Sequence, residues 1–272
     1  MTMGSQGTRR RLRSMAALLV LLPTTLPTTL RQATQAKSTR SKHAADGSAK
    51  DAPAPFPVGE TLNYRVAWAA FTSAASLQLC VVERRDLFGW RTWHFRATAH
   101  TSGSVRRLFT IDDQVDSYTD AASLESRQYE TRLNEMGHEQ DEVLHFMVSG
   151  QAAPPLGSGV LVAKGTRDPL GTIYWLRTVD WKQTTEARAP MCDGHDLYEV
   201  RAALDAPDEQ LTTDAGKFAA SRILIHIFQN GKQVTGTSFS VWLAHDMLQT
   251  PIRMQADLPI GTIQIELTSN SQ

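Results

Sequence analysis

The chain reads as mainly β: a large antiparallel sheet, either an open or closed barrel or a strongly curved sheet, with one helix packed against it. Three observations predict this. From Leu62 onward most segments alternate apolar and polar residues with period two, the pattern of half-buried strands. Turn dipeptides, Phe88-Gly89, Asp193-Gly194 and Asn230-Gly231, separate them. Only Asp168–Arg177 carries a clear helical signature.

Residues 1–36 read as a signal peptide. Arg9, Arg10, Arg11 and Arg13 precede the apolar run Met15–Leu22, which ends at Pro23. A membrane span needs about 20 such residues, so this run fits an export signal instead. Thr34-Gln35-Ala36 offers a cleavage site, and Thr8–Leu12 also fits a twin-arginine signal. No cysteine follows the run, which argues against a lipoprotein anchor. The expected location is periplasmic or secreted. Residues 37–57, rich in Lys, Ser, Ala and Asp and ending in Pro53, Pro55 and Pro57, read as a disordered linker. Residues 58–270 form the expected single domain.

The elements follow in order. Leu62, Tyr64, Val66 and Trp68 share one strand face; Leu77, Leu79 and Val81 share the next; Trp93, Phe95, Ala97 and Ala99 line the third. Ser102–Phe109 reads as a short helical turn or crossover, with Ser104 as candidate N-cap. Strands fit 111–119, 125–133 and 138–148, then a Gly/Pro/Ala loop over 149–159 and a short strand at 160–163. Asp168 is the expected N-cap of the helix, and Pro169 suits its first position. Leu170, Ile173, Tyr174 and Arg177 fall on one helix side, which would cover an open sheet end or plug a barrel mouth. Hairpins follow at 183–192/195–203 and 222–229/234–243, and strands at 251–257 and 260–268 close the domain, with Pro251 at an edge or strand start.

Composition narrows the function. Of the 28 Lys/Arg and 28 Asp/Glu, residues 1–50 hold nine and one, leaving 19 basic and 27 acidic side chains, net −8. Long-range attraction to nucleic acid or anionic lipid is therefore not expected. Arg84-Arg85 and Arg106-Arg107 read as solvated faces. Cys80 and Cys192 are a candidate disulfide in an oxidising compartment; the alternative is that Cys80 is a simple core residue.

Four segments carry a family resemblance: Phe56–Tyr64, with Gly59-Glu60 at its centre; Ser102–Phe109 followed by Asp112 or Asp113; Asp168–Arg177; and Val241-Trp242-Leu243 with Asp246 and Pro251. Gly261-Thr262-Ile263 adds a fifth. Together they resemble the DUF3108 family of bacterial exported proteins, with Gly171 where Ser is usual and Ala244-His245 where a Ser-Asp pair is usual. The resemblance implies a secreted or periplasmic β-rich domain, similar to the open barrels of periplasmic lipid carriers. It supplies no catalytic residue.

The residues themselves give no catalytic, metal or cofactor site. Asp193-x-His195-Asp196, His245-Asp246, and His94 with His100 place imidazoles near carboxylates, but without the converging ligand set a metal needs. Gly157-Ser158-Gly159 lacks the strand-to-helix setting of a nucleophile elbow, and Glu139, Asp141 and Glu142 read as a solvated face. Aromatics are the stronger lead: Trp68, Trp93, Phe95, Tyr174, Trp175 and Trp242 are candidates to line a cavity for a lipid or other apolar ligand, against the alternative that they fill the core. Small residues Ala67, Ala69, Ala97 and Ala99 leave room for either. The expected function is non-catalytic envelope binding of an apolar ligand; the alternatives are a structural or protein-interaction module with an envelope partner, and an unrecognised hydrolase.

Overall fold

The structure, a computed structural model, describes residues 56–148, 158–259 and 261–271. The signal segment, residues 37–55 of the expected linker and the loop residues 149–157 lie outside the described residues; Phe56, expected in that linker, is instead buried in the core.

Apolar alternation turns one face of each strand inward. β1 (Thr61–Trp68) buries Leu62, Tyr64 and Val66; β2 (Phe71–Leu87) buries Leu77, Leu79 and Val81; β3 (Trp90–Thr101) buries Trp93, Phe95, Ala97 and Ala99. A one-and-a-half-turn helix, α1 (Gly103–Leu108), leads to β4 (Asp112–Asp120), β5 (Ser126–Glu135), β6 (His138–Val148) and β7 (Ser158–Val162). The N-cap position of α1 is Ser102, not Ser104, and the Ser102 hydroxyl donates to the Ser73 carbonyl rather than capping the helix. α2 (Pro169–Leu176) follows, then β8 (Glu186–Cys192), β9 (Leu197–Thr213), β10 (Gly216–Gln229), β11 (Lys232–Gln233), β12 (Ser238–Ala244), β13 (Pro251–Leu258) and β14 (Gly261–Ser271).

All the strands belong to one sheet, in the order β7-β6-β5-β4-β3-β2-β1-β14-β13-β12-β10-β9-β8, with β11 attached to β10. It curls into a nearly closed barrel. β1 pairs with β14 from Thr61↔Ser271 to Trp68↔Ile263, so the two ends of the domain lie side by side. Pro251 opens β13 at its first residue, inside the sheet, where no earlier ladder bond is lost. The expectation of a wholly antiparallel sheet fails at one place: β7 runs parallel to β6, from Leu144↔Ser158 to Val148↔Val162.

The seam between β7 and β8 is closed by the connector before α2. Arg167 N–H donates to the Pro190 carbonyl (3.1 Å), Cys192 N–H donates to the Arg167 carbonyl (2.9 Å), and Ser126 N–H donates to the Thr166 carbonyl (3.0 Å). Next to it the β8–β9 turn leans on β6. Gly194 (φ +104°) leaves no room for a Cβ against Leu144, and His195 Nε2 lies 3.8 Å from Glu142 Oε2. That contact ties one of the acidic side chains of β6 to the turn. Asn230 and Gly231, at φ +51° and +75°, form the expected turn of paired positive φ.

The β9–β10 hairpin is far longer than the sequence pattern suggests. Its register shifts near Ala220 and Arg222, opposite Pro207, and its distal half folds over the outer face of the sheet. There Trp242 Nε1 donates to Glu209 (2.7 Å), and the hairpin tip Asp214 pairs with Arg65 on β1.

Cys80 and Cys192 are free thiols, so the candidate disulfide is not formed. Cys80 alternates with inward Leu79 and Val81 and therefore turns out from β2, where it meets Thr61 and Gln78. Cys192 is buried on β8 beside the seam, and burial pushes its thiol up to about 11.

Candidate functional site

Two interior regions stand out: a plug at the α2 end of the barrel and an apolar cavity above it. The plug begins with Asp168. Its carboxylate accepts from Gly171 N–H (2.7 Å) and from the Ser117 and Ser126 hydroxyls (both 2.5 Å), and its own N–H donates to Ser126 Oγ (2.6 Å). It is the N-cap expected from the sequence, and Pro169 follows at the first helical position. Burial pushes its pKa up while these hydrogen bonds hold it down, with a net upward shift. A Cβ at Gly171 would lie 3.0 Å from Thr119 Cγ2 and 3.3 Å from Asp168 Oδ2, a tight fit that suits glycine.

At the other end of α2 Arg177 forms a two-pronged ion pair with Glu60, at 2.7 and 2.6 Å, each side chain about 1% exposed. Arg177 Nε also donates to the Leu248 carbonyl (3.1 Å), and the Gln249 side chain donates to the Arg177 and Val179 carbonyls, satisfying the helix C-terminus. The guanidinium lies 4.7 Å above the Phe56 ring. Phe56 meets Trp93, Phe95 and Tyr174 edge-on, and Phe95 stacks on Tyr174 at 3.7 Å. The Tyr64 hydroxyl donates to the Pro251 carbonyl (2.8 Å), while Asp246 accepts from Leu248 and Thr250 N–H.

The cavity lies between α2 and the inner strand faces, in two lobes. One, of about 20 Å³, is lined by Leu77, Leu79, Ala97, Ala99, Val115 and Ile173, with Asp113 among them. The other, of about 40 Å³, is lined by Leu176, Ile225, Phe239, Val241, Ala256 and Ile265. Ile173 and Met254 border both.

None of the six aromatic candidates lines either lobe. Trp93, Phe95 and Tyr174 are fully buried in the plug, where they fill core. Trp68 is half-buried at the end of β1. Trp175 is half-buried on α2 beneath the Arg167 guanidinium, 4.8 Å away. Trp242 alternates with the inward Val241 and Leu243, so it faces outward, covered by the β9–β10 hairpin and flanked by Arg222 and Arg253. Side-chain size along one face makes the difference on β3: Ala97 and Ala99 hollow the barrel where Trp93 and Phe95 fill it.

The histidine–carboxylate pairs lie on the outer face. His94 Nε2 is 2.6 Å from Asp116, which also accepts from Arg96 (2.7 Å) and Gln114 (2.6 Å). Burial pushes Asp116 up, but these bonds outweigh it and hold its pKa near about 2. His100 is 2.9 Å from Asp112, itself held two-pronged by Arg106. His245 contacts Ser221 and the Pro207 carbonyl. Among the described residues no group of three or more His, Cys, Asp or Glu is placed to hold a metal, and no described helix is long and apolar enough to cross a membrane.

Sequence reading missed the Glu60–Arg177 pair, although both signals were present. Glu60 is in phase with inward Leu62 and Tyr64, and Arg177 shares the helix side of Leu170 and Ile173. Two opposite charges in phase with buried faces imply each other.

The DUF3108 family model, described as a protein of unknown function, matches residues 63–268. The chain belongs to the DUF3108 family. Three of the five resemblance segments meet in the plug: Phe56, Glu60 and Tyr64 from the first, Asp168, Tyr174 and Arg177 from the helix, Asp246 and Pro251 from the fourth. No curated protein matches. Among solved structures, the chain is similar to a β-barrel-like DUF1849 protein from Brucella abortus (TM-score 0.50, 11% identity, 79% of this chain and 97% of that one). It also matches a candidate lipoprotein from Parabacteroides distasonis (0.38, 10%, 79% and 96%) and an exported protein with a YmcC-like fold from Bacteroides fragilis (0.36, 10%, 80% and 98%). The first likeness supports the barrel-like fold.

Proposed function

We propose that this DUF3108 protein is a non-catalytic, exported envelope protein that takes an apolar or lipidic ligand into its barrel. The observation that carries the reading is the two-lobed cavity, lined almost wholly by aliphatic and alanine side chains on a pre-formed floor, α2. The lobes are small, about 20 and 40 Å³, so a chain enters as α2 and the strands part around it; the apolar lining is what suits an apolar ligand. The basic cluster Arg9–Arg13 before Met15–Leu22 supports export. The His94–Asp116 and His100–Asp112 pairs are held by Arg96 and Arg106 rather than set beside a nucleophile, which favours structure over catalysis at those two pairs.

The test is titration of the domain with N-phenyl-1-naphthylamine, a neutral apolar fluorophore, beside an Ala97→Phe variant. Micromolar binding is expected in the native protein, and loss of binding in a variant that keeps its circular dichroism. A flat titration of the native protein overturns the reading.

A second reading, a protein-interaction module, draws on β7. This strand ends the sheet path and exposes Leu161, and strand ends of this kind add partners. Reproducible crosslinks from a residue introduced at Leu161 would favour it.

A further inference from the structure

Among the described residues, Asp113 is the one ionisable group lining the cavity. It is 2% exposed, on the inner face of β4 in phase with Val115 and Ser117, and paired across the sheet with Ala99. One carboxylate oxygen accepts from Asn134 N–H at 2.8 Å; Oδ2 is buried with no hydrogen-bond partner. A buried carboxylate oxygen left without a donor is costly, and nothing in its apolar surroundings (Leu77, Leu79, Ala97, Val115, Ile173) offers one.

We propose that Asp113 anchors the ligand's polar end, so that the cavity takes an apolar chain with a hydrogen-bond-donating head (hydroxyl, amide or ammonium) and discriminates against an anionic head. The inference rests on the apolar-ligand reading above and specifies its ligand class. The donor supplies the missing partner of Oδ2, while the chain lies against the alanine and leucine side chains of β2 and β3. A carboxylate head would set two negative groups together in an apolar pocket. Three charged groups act on Asp113: Asp112 beside it on β4, His100 on β3 and Glu135 on β5. Asp112 is already matched by Arg106 and His100, so no free cation is left to receive an anion.

The experiment is displacement of N-phenyl-1-naphthylamine from the native domain by decylammonium, decanol and decanoate, repeated with Asp113→Asn. That variant keeps the oxygen that Asn134 needs. Decylammonium and decanol should displace about tenfold or more better than decanoate, the worth of one hydrogen bond to a charged group, and the variant should lose the preference for decylammonium. Equal displacement by all three, or a preference unchanged in the variant, overturns the anchor while leaving the apolar-ligand reading in place. Absence of fluorophore binding in the native protein removes both. A second measurement needs no variant: the advantage of decylammonium over decanol should shrink between pH 7 and pH 5, as Asp113 takes up its proton. A ratio that does not move across that range also overturns the anchor.

Discussion

The plug and the cavity share α2 as a wall, yet they treat buried charge in opposite ways. In the plug every charge is matched: Glu60 gives both oxygens to Arg177, and Asp168 receives two hydroxyls and a helix N–H. In the cavity Asp113 is matched on one oxygen only. Matched charge fixes geometry, here the seat of the helix on the barrel end. Half-matched charge is a standing cost, which folding tolerates where a ligand can relieve it. One strand shows the same contrast across its two faces. On β4, outward Asp116 is held down near about 2 by its donors, whereas burial raises inward Asp113 to about 6.

The comparison breaks first, and most severely, at the ion pair. Glu60→Ala or Arg177→Ala leaves an uncompensated buried charge and should cost about 3–5 kcal/mol in urea unfolding. A loss under 1 kcal/mol would show that the plug is not what holds the helix. Next is the cavity carboxylate. Because the folded-state pKa of Asp113 lies above its ordinary value, its contribution is complete below about pH 4 and is lost as pH rises through about 6. A shift of about two units corresponds to about 3 kcal/mol, which Asp113→Asn should erase from the difference between pH 4 and pH 7 stabilities. Asp168→Ala should cost about 2 kcal/mol, the upper range for a helix cap, since two serine hydroxyls also lose their acceptor. The smallest effect is expected from reductant: with both thiols free, dithiothreitol should leave the melting temperature unchanged.

Most strands and α2 were legible because burial on one face writes itself as alternation, and because Asp168-Pro169 is a complete helix start. The distal β9–β10 hairpin was not. Residues 204–215, with Asp205, Pro207, Asp208 and Asp214, lie over the outside of the sheet, and their half-buried side holds only Leu204, Leu211 and Ala215 as scattered apolar contacts, too few to leave a pattern. The parallel β7 was hidden for a related reason: pairing direction depends on where the chain returns, not on which residues alternate. The cavity was legible only by inversion. Ala97 and Ala99 opposite Leu77 and Leu79 mark the hollow, while the tryptophans mark where it has been filled.

The sheet order has a mechanical consequence. Two arcs, β2 to β7 and β8 to β13, are joined at β1 and β14 by a continuous ladder running from Thr61↔Ser271 to Trp68↔Ile263. At the opposite side no such ladder joins them: they meet through the backbone bonds of Thr166, Arg167 and Cys192 and the lean of the β8–β9 turn on β6. The molecule is therefore built as a hinge and a clasp. The clasp runs straight into Asp168 and the floor helix, so whatever unfastens it also loosens the chamber wall. Hydrogen exchange should find the amides of Arg167 and Cys192 opening at lower free energy than those of Val66 and Ile265.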